Sequence, residues 1–262
     1  MPTKFIQDCW KDFQTKKNLS YVCNPSIPIL WFGNYDEYLK SKVKIVTIGL
    51  NPSSMEFKKN KSSKSYEIKL RFPAACSIAN KKVLSQQDLN TYKKAMNEYF
   101  STKNDYWDWF KYNERIIAAL GASYKVPTVA NRAIHIDIYS SIATSPTWGK
   151  LQKCQKNQQL QNTSYDFNQF LCFLNPDIIV VSANASIVAS TFKNASGNPC
   201  TKANMVGCIP KYEKSAYGPY IRGYHLAQNR KLIWVKNCRG KPLQVLNDID
   251  VVTGIKAVYA KL

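Results

Sequence analysis

Three polar residues lie at or near the ends of apolar segments, and their types and positions suit binding or catalysis. Asn51 directly follows "KVKIVTIGL", Asp137 lies inside "AIHIDIYSS", and Asn237 ends "KLIWVKN". An asparagine side chain both donates and accepts hydrogen bonds, whereas an ionised carboxylate only accepts them. Polar groups at such positions need partners, and open parallel sheets bind ligands beyond the carboxyl ends of their strands. These three residues are therefore the first candidates for a functional site.

The strands that position these residues are predicted from runs of apolar and β-branched residues. Four runs, "KVKIVTIG", "AIHIDIYSS", "DIIVVSA" and "KLIWVKN", are typical of strands in a buried parallel sheet. Segments with helical spacing lie between them, which indicates a sheet layered by helices. We predict a three-layer α/β fold with a central, mostly parallel four-stranded sheet flanked by helices, in one domain that covers residues 1–262.

The helices are predicted from apolar spacing and from capping residues. The N-terminal "KFIQDCWKDF" has the spacing of a helix, and Ser85 with Asp88 three residues later is a capping-box pattern. A further helix is predicted to end at Gly121, and another to end before Pro176. The Lys- and Ser-rich residues 58–70, "KKNKSSKSYEIKL", are predicted to form an exposed basic loop. Residues 193–230, rich in Gly, Pro, Lys and Tyr, are predicted to form an irregular insertion.

The charge of the chain favours a polyanionic partner. Lys and Arg number 37 against 17 Asp and Glu, which gives a formal net charge of +20. Nucleic acid is the first candidate and an anionic membrane surface the second. The sequence contains no run of about 18 apolar residues, and its N-terminus lacks the apolar core of a signal peptide, so we expect a cytoplasmic protein that does not enter a membrane. A monomer is expected.

The cysteines and histidines argue against a metal centre. The eight cysteines are scattered without a Cys-x-x-Cys pair, and there are only two histidines. We therefore expect neither a zinc nor an iron–sulfur site, and no cofactor.

The order of these motifs resembles the uracil-DNA glycosylase superfamily, and most closely its mismatch-specific uracil/thymine branch. The similarity lies in Gly49-Leu50-Asn51-Pro52-Ser53 after the first strand, Phe72 in "RFP", a polar residue inside the second strand, and Asn237 at the last strand. It extends over about residues 43–243. The resemblance implies a monofunctional DNA glycosylase that flips a nucleotide out of the duplex and hydrolyses its N-glycosidic bond, leaving an abasic site.

The resemblance also implies roles for individual residues. Asn51 would orient the attacking water, Phe72 would stack on the flipped base, and Arg239 would fill the vacated stack. Glu56 is close enough to Asn51 in the chain to be a water-activating base. Binding of the base is assigned to Gly49, Leu50, Pro52, Ser53 and Asn237, and contacts to DNA are assigned to Lys58, Lys59, Lys61 and Lys241.

Departures from the family motifs bear on the substrate. Cys238-Arg239 replaces the Pro-Ser of the last motif, and Ser53 replaces a glycine. Asp137 stands where several branches have a base-reading asparagine. A carboxylate that only accepts suits the exocyclic amine of cytosine, and a protonated carboxyl would also donate to the ring nitrogen beside it. We therefore expect a cytosine derivative. Some members of the superfamily act in bacterial defence against phage DNA, so a modified cytosine such as hydroxymethylcytosine or its glucosylated form is implied.

Simpler interpretations of the same residues remain open. The chain could instead be a uracil/thymine-mismatch repair glycosylase, a non-catalytic basic nucleic-acid-binding module on the same fold, or a nucleotide-using transferase, although it has no glycine-rich phosphate loop. Asn-Pro is common in turns, and a buried aspartate is often structural. In these interpretations Asn51 forms a turn, Asp137 supports the scaffold, Phe72 packs in the core, Asn237 caps a strand, and Arg239 and the lysines of 58–70 are solvated.

Overall fold

The computed structural model describes residues 2–102, 105–208, 220–236 and 248–262, and for residues 208, 220, 236 and 248–250 only the backbone. The predicted strands form the centre of a larger sheet. The strands in these residues are β1 Ile45–Gly49, β2 Ala122–Ser123, β3 Asn131–Asp137, β4 Ile178–Val181, β5 Gly207–Cys208, β6 Tyr220–His225 and β7 Lys231–Lys236. These seven strands of the described residues lie in the order β2-β3-β1-β4-β7-β6-β5, and the four predicted strands are β3, β1, β4 and β7, side by side.

The sheet is mostly parallel, as predicted. β1 pairs in parallel with β4, β4 with β7, and β2 with β3, whereas β6 and β5 continue the sheet in antiparallel pairs. Every residue of β1 and of β4 is buried, which explains why these strands appear in the sequence as unbroken apolar runs. The α/β class and the mostly parallel sheet are therefore confirmed, and they fit a three-layer α/β fold.

The predicted number of four strands is wrong. β2 and β5 have two residues each, which is too few for an alternating pattern to show. β6 lies within residues 193–230, which the sequence predicts as irregular, and Arg222 and Gly223 interrupt its apolar residues. Arg222 is nevertheless buried, with its guanidinium over the Trp234 ring, so the tertiary contacts of this strand override its composition.

The helices largely follow the sequence pattern. The capping box of Ser85 and Asp88 is present, and Gly121 follows the fourth helix with a φ of +74°. The C-terminal segment, whose periodicity does not decide between a helix and a helix plus a strand, contains a helix. The helices are α1 Thr3–Lys16, α2 Tyr35–Lys40, α3 Gln86–Asn97, α4 Trp107–Ala119, α5 Lys153–Leu160, α6 Phe167–Leu174, α7 Ala185–Thr191 and α8 Asp248–Tyr259.

The helix α8 packs on the antiparallel edge of the sheet and against α4. Its approach to β6 is close because Gly223 has no side chain there: a Cβ atom at this position would lie 2.7 Å from a methyl group of Val258. Among the residues described above, each helix is too short or too polar to span a bilayer.

The chain divides into two compact units, each built from three segments. One unit, called here the site unit, contains Met1–Asp36, Leu50–Tyr106 and His135–Leu174. The other, the sheet unit, contains Glu37–Gly49, Trp107–Ile134 and Asn175–Leu262. Neither unit is a continuous stretch of sequence, and the prediction of one domain over residues 1–262 stays a prediction. The sheet unit contains the strands apart from His135 to Asp137 at the end of β3.

Candidate active site

The segment that follows β1 is held by backbone hydrogen bonds to the segment that follows β3. Tyr139 N–H donates to the Leu50 carbonyl at 3.0 Å, and Thr144 N–H donates to the Pro52 carbonyl at 3.2 Å. Ser54 N–H in turn donates to the Thr144 carbonyl at 3.1 Å. These bonds fix residues 50–54, which follow β1, against the segment that follows β3. Gly49, the last residue of β1, belongs to the sheet unit.

The side chain of Asn51 has its donor end occupied and its acceptor end unpaired. Nδ2 donates to the carbonyls of Pro52 at 2.9 Å and Ile142 at 3.0 Å, with Thr144 Oγ1 at 3.5 Å. Oδ1 is buried, and no donor among the described residues bonds it. A buried acceptor without a donor costs about 1–3 kcal/mol, so a bound donor such as water would be stabilised here. The side chain is therefore built to accept a hydrogen bond at a fixed point.

Ser53 and Glu56 belong to a short helical turn that directly follows Asn51 and Pro52. Ser53 Oγ accepts the N–H of Met55 at 3.2 Å and begins the 3₁₀ turn Ser54–Glu56. The turn directs the Glu56 side chain into the interior, where it is only 4% exposed. Ser53 therefore has a positioning role whatever else it binds.

The carboxyl group of Glu56 titrates near neutral pH. Burial raises its pKa from 4.5 to about 7, and the charges of Asp137 and Asp105 also raise it. The hydrogen bond from Tyr99 and the positive charge of Arg71 act in the opposite direction. A carboxylate with a pKa near the working pH is suited to accept a proton from water.

Tyr99 holds one oxygen of Glu56. Its hydroxyl donates to Glu56 Oε2 at 2.5 Å and accepts the N–H of Tyr106 at 3.1 Å. Burial, with the neighbouring Glu56, raises the pKa of Tyr99 well above its usual value. The phenol therefore stays protonated and remains a donor to the carboxyl group.

Asp137 presents a carboxylate that has no hydrogen-bond donor among the described residues. It is the last residue of β3 and is 6% exposed. His135 Nε2 lies 3.8 Å from its Oδ1, which is beyond hydrogen-bond length. Its backbone carbonyl, by contrast, accepts the Tyr165 hydroxyl at 2.7 Å. The backbone is fixed while the carboxylate remains available to a ligand that donates.

Phe72 has no exposed surface. Its ring lies between those of Phe57, at a centroid distance of 5.7 Å, and Tyr99, at 5.4 Å. A base could stack on Phe72 only after one of its neighbours moved. Its role as a stacking platform therefore stays a prediction.

The basic residues predicted to contact DNA differ in exposure. Lys59 and Lys61 are exposed, whereas Lys58 is half-buried with its ammonium 5.4 Å from the centre of the Tyr66 ring. Asn237, Arg239 and Lys241 lie outside the described residues.

The sequence did not single out two residues of the site, Tyr99 and Arg71. Tyr99 follows α3 and continues its apolar face, so it resembles an ordinary core residue. Arg71 stands at the end of a lysine-rich loop, where one more cation is inconspicuous, yet it is 5% exposed. A cation directly before the buried Phe72 of "RFP" is the only signal in the sequence, and it is weak.

The chain matches no protein-family model, no curated protein and no solved structure. The resemblance to uracil-DNA glycosylases therefore stays a hypothesis that rests on the sequence motifs.

Proposed function

We propose that this protein is a monofunctional DNA glycosylase that hydrolyses the N-glycosidic bond of a flipped cytosine derivative. The observation that supports this best is the state of Asn51: its amide nitrogen is held by two carbonyls and its buried Oδ1 has no donor among the described residues. An acceptor fixed in this way orients a water molecule without needing to deprotonate it. That is sufficient where the sugar is oxocarbenium-like in the transition state.

The proposed reaction divides two tasks between Asn51 and Glu56. The bond from C1′ to the base nitrogen breaks, and its electron pair leaves with the base. The water oxygen then bonds to C1′ and keeps one hydrogen, which donates a hydrogen bond to Asn51 Oδ1, while Glu56 takes up the other proton. The pKa of about 7 supports this role, because much of the Glu56 population is ionised at neutral pH.

The proposed substrate base follows from the lack of donors around Asp137. A base whose edge presents an amine would supply the hydrogen bond that this nearly buried carboxylate does not receive from the described residues. Cytosine presents such an amine, whereas uracil presents a carbonyl at the same position. We propose a modified cytosine, such as hydroxymethylcytosine or its glucosylated form in phage DNA. Excision of uracil or mismatched thymine is the alternative substrate.

DNA as the partner is supported by charge. The chain has a formal net charge of +20, and Lys59 and Lys61 are exposed on the loop that begins directly after the turn containing Glu56. Cations at these positions would contact phosphates close to the proposed reaction centre.

A second candidate function is a basic nucleic-acid-binding module without catalysis. The burial of Phe72 favours it, because a ring with no exposed face provides no ready platform for a flipped base.

Release of base from defined duplexes distinguishes the two functions. The protein is incubated with duplexes that contain one uracil, one thymine mismatch, one hydroxymethylcytosine or one glucosylated hydroxymethylcytosine, and abasic sites are detected by strand cleavage in alkali. We expect abasic sites at a modified cytosine and fewer or none at uracil. Tight binding of every duplex with no abasic site in any of them supports the binding module instead.

A further inference from the structure

Arg71 is a buried cation that bonds the backbone on both sides of Phe57. Its Nη1 donates to the Lys58 carbonyl at 2.9 Å and, more weakly, to the Glu56 carbonyl at 3.5 Å. The side chain is 5% exposed. It therefore holds the chain at the point where the turn Ser54–Glu56 ends and the lysine-rich loop begins.

The same loop is closed by backbone bonds at its other end. Glu67 N–H donates to the Phe57 carbonyl at 2.7 Å, and Phe72 N–H donates to the Ile68 carbonyl at 2.9 Å. The exposed Lys59 and Lys61 thus lie on a loop whose two ends are held together next to Glu56, and the side chain of Arg71 also holds the Lys58 carbonyl.

Arg71 also takes part in the surroundings of the Glu56 carboxyl group. Its guanidinium lies 5.9 Å from the centre of the Tyr106 ring, the Tyr106 N–H donates to Tyr99, and Tyr99 donates to Glu56. The positive charge of Arg71 lowers the pKa of Glu56, whereas the charges of Asp137 and Asp105 raise it.

The state of the guanidinium argues against a purely structural role. Among the described residues no carboxylate forms a salt bridge with Arg71, and its buried Nε has no acceptor there. A buried cation without a direct ion pair is costly, and an apolar side chain would fill the same space at a lower cost. A cation at this position is explained if its charge acts on Glu56.

We propose that Arg71 is a positioning residue for Glu56, tying the lysine-rich loop to the Glu56 backbone and supplying the positive charge beside the Glu56 carboxyl group. This inference rests on the proposed function only for the role of Glu56. The charge keeps part of the Glu56 population ionised despite burial, and the bond to the Lys58 carbonyl holds the start of the loop that would bind phosphates.

The test measures the pKa of Glu56 directly in the full chain, by NMR of ¹³C-labelled carboxyl groups, with the signal assigned from Glu56→Gln. Arg71→Gln retains a donor for the Lys58 carbonyl but removes the charge, so the pKa of Glu56 is expected to rise by about one unit, the low end of what an adjacent cation does. Arg71→Lys restores the charge and is expected to return the pKa to the wild-type value. Lys69→Met is the matched control, because Lys69 is an exposed cation of the same loop that pairs with Glu67 at 2.9 Å. It is expected to leave the pKa unchanged.

A folded Arg71→Gln whose Glu56 pKa equals that of the wild type overturns the proposal. If Arg71→Gln does not fold, Arg71→Lys decides: the shorter lysine side chain keeps the charge but should not reach the Lys58 carbonyl as Nη1 does, so the loop should loosen, and the Glu67 amide should exchange with deuterium faster than in the wild type. If the Glu67 amide exchanges at the wild-type rate in that variant, Arg71 does not hold the loop in place.

Neither readout requires base release, so a protein without glycosylase activity still tests Arg71. If bases are released, the rising limb of the pH–rate profile should move to higher pH in Arg71→Gln. An unmoved limb with retained activity refutes the role of Arg71 and leaves the proposed function standing.

Discussion

The hydroxyl of Tyr99 donates a hydrogen bond of 2.5 Å to Oε2 of Glu56, and both side chains are buried. Burial raises the pKa of each group, so Tyr99 keeps its proton over the range in which Glu56 titrates. The bond favours the ionised carboxylate and limits the rise in the pKa of Glu56. Tyr99 therefore helps to set the pH at which the carboxylate can accept a proton.

Tyr99→Phe is expected to raise the pKa of Glu56 above about 7, because it removes a donor that stabilises the ionised form. At pH 8 the ionised carboxylate would lack this partner, and the free energy of unfolding is expected to fall by about 1–3 kcal/mol. Carboxyl NMR and urea unfolding measure the two effects. Tyr92→Phe is the matched control, since that hydroxyl is also buried but donates to the Pro28 carbonyl at 2.8 Å. It should lower stability without moving the pKa of Glu56, and an equal pKa in all three proteins would refute the prediction.

Glu56 is expected to make the folded state less stable as the pH rises. Its pKa is about 7 when folded and 4.5 ordinarily, so between these values the folded state holds a proton that the unfolded state has lost. The free energy of unfolding should therefore decrease from about pH 4.5 to about pH 7 and level off above, by about 3 kcal/mol for a shift of this size.

Glu56→Gln cannot ionise and should lack this component. Urea unfolding of the wild type and the variant across pH 4 to pH 9 gives the difference, in which the other titrating groups cancel. The variant is expected to gain stability relative to the wild type as the pH rises. Two curves that run parallel would mean that the carboxyl group has an ordinary pKa in the folded state.

The sequence predicts the centre of the fold better than its edges. β1, β3, β4 and β7 are predicted because buried parallel strands need apolar residues at nearly every position. The short strands β2 and β5 at the two edges give no pattern, and β6 is interrupted by Arg222, which lies over Trp234, and by Gly223, which faces α8. Strand ends likewise point to Asn51 and Asp137. What no pattern indicates is which side chains from distant segments meet: Tyr99 reaches Glu56 across 43 residues, and such pairing depends on packing.

Asn51→Ala is expected to reduce base release by about 10²–10³-fold while changing the affinity for DNA only a few-fold. An oriented water contributes to the transition state and little to the bound ground state, and losing one preorganised polar group typically costs that much. Single-turnover release and equilibrium binding separate the two quantities.

Asn97→Ala is the matched control, because Asn97 is also a hydrogen-bonded asparagine of the site unit, with Oδ1 accepting the Tyr35 N–H at 3.1 Å. It should lower stability but retain release by the folded protein. If Asn51→Ala releases base within a few-fold of the wild-type rate, Asn51 does not orient the attacking water.

Replacement of the exposed lysines is expected to weaken the dependence of DNA affinity on salt. Each phosphate contact contributes about 0.9 to the slope of log affinity against log salt, so Lys59→Gln with Lys61→Gln should reduce the slope by about 2. Lys58→Gln should change it less, because Lys58 is half-buried over Tyr66. Binding of one duplex between 50 and about 200 mM salt measures the slopes. A larger loss from Lys58 than from the exposed pair would mean that the loop rearranges on DNA.

Asp137→Asn tests the identity of the base. The change keeps the shape of the side chain and replaces an acceptor-only group by one that also donates, which suits the carbonyl of uracil better than the amine of cytosine. Excision of a cytosine derivative is expected to fall by a factor equivalent to about 1–3 kcal/mol, because a donor now faces the amine. Excision of uracil should rise relative to excision of the cytosine derivative.

The structural alternative makes a different prediction for the same variant. If Asp137 only supports the scaffold through its position at the end of β3, the melting temperature should fall and excision should decline equally on every base. His135→Gln serves as the matched control, since His135 is equally buried on the same strand and lies 3.8 Å from the carboxylate. It should lower stability while the ratio of cytosine to uracil excision stays the same. A destabilised Asp137→Asn with an unchanged ratio would refute base reading by Asp137, because a group that contacts the base edge cannot be altered without changing which edge it prefers.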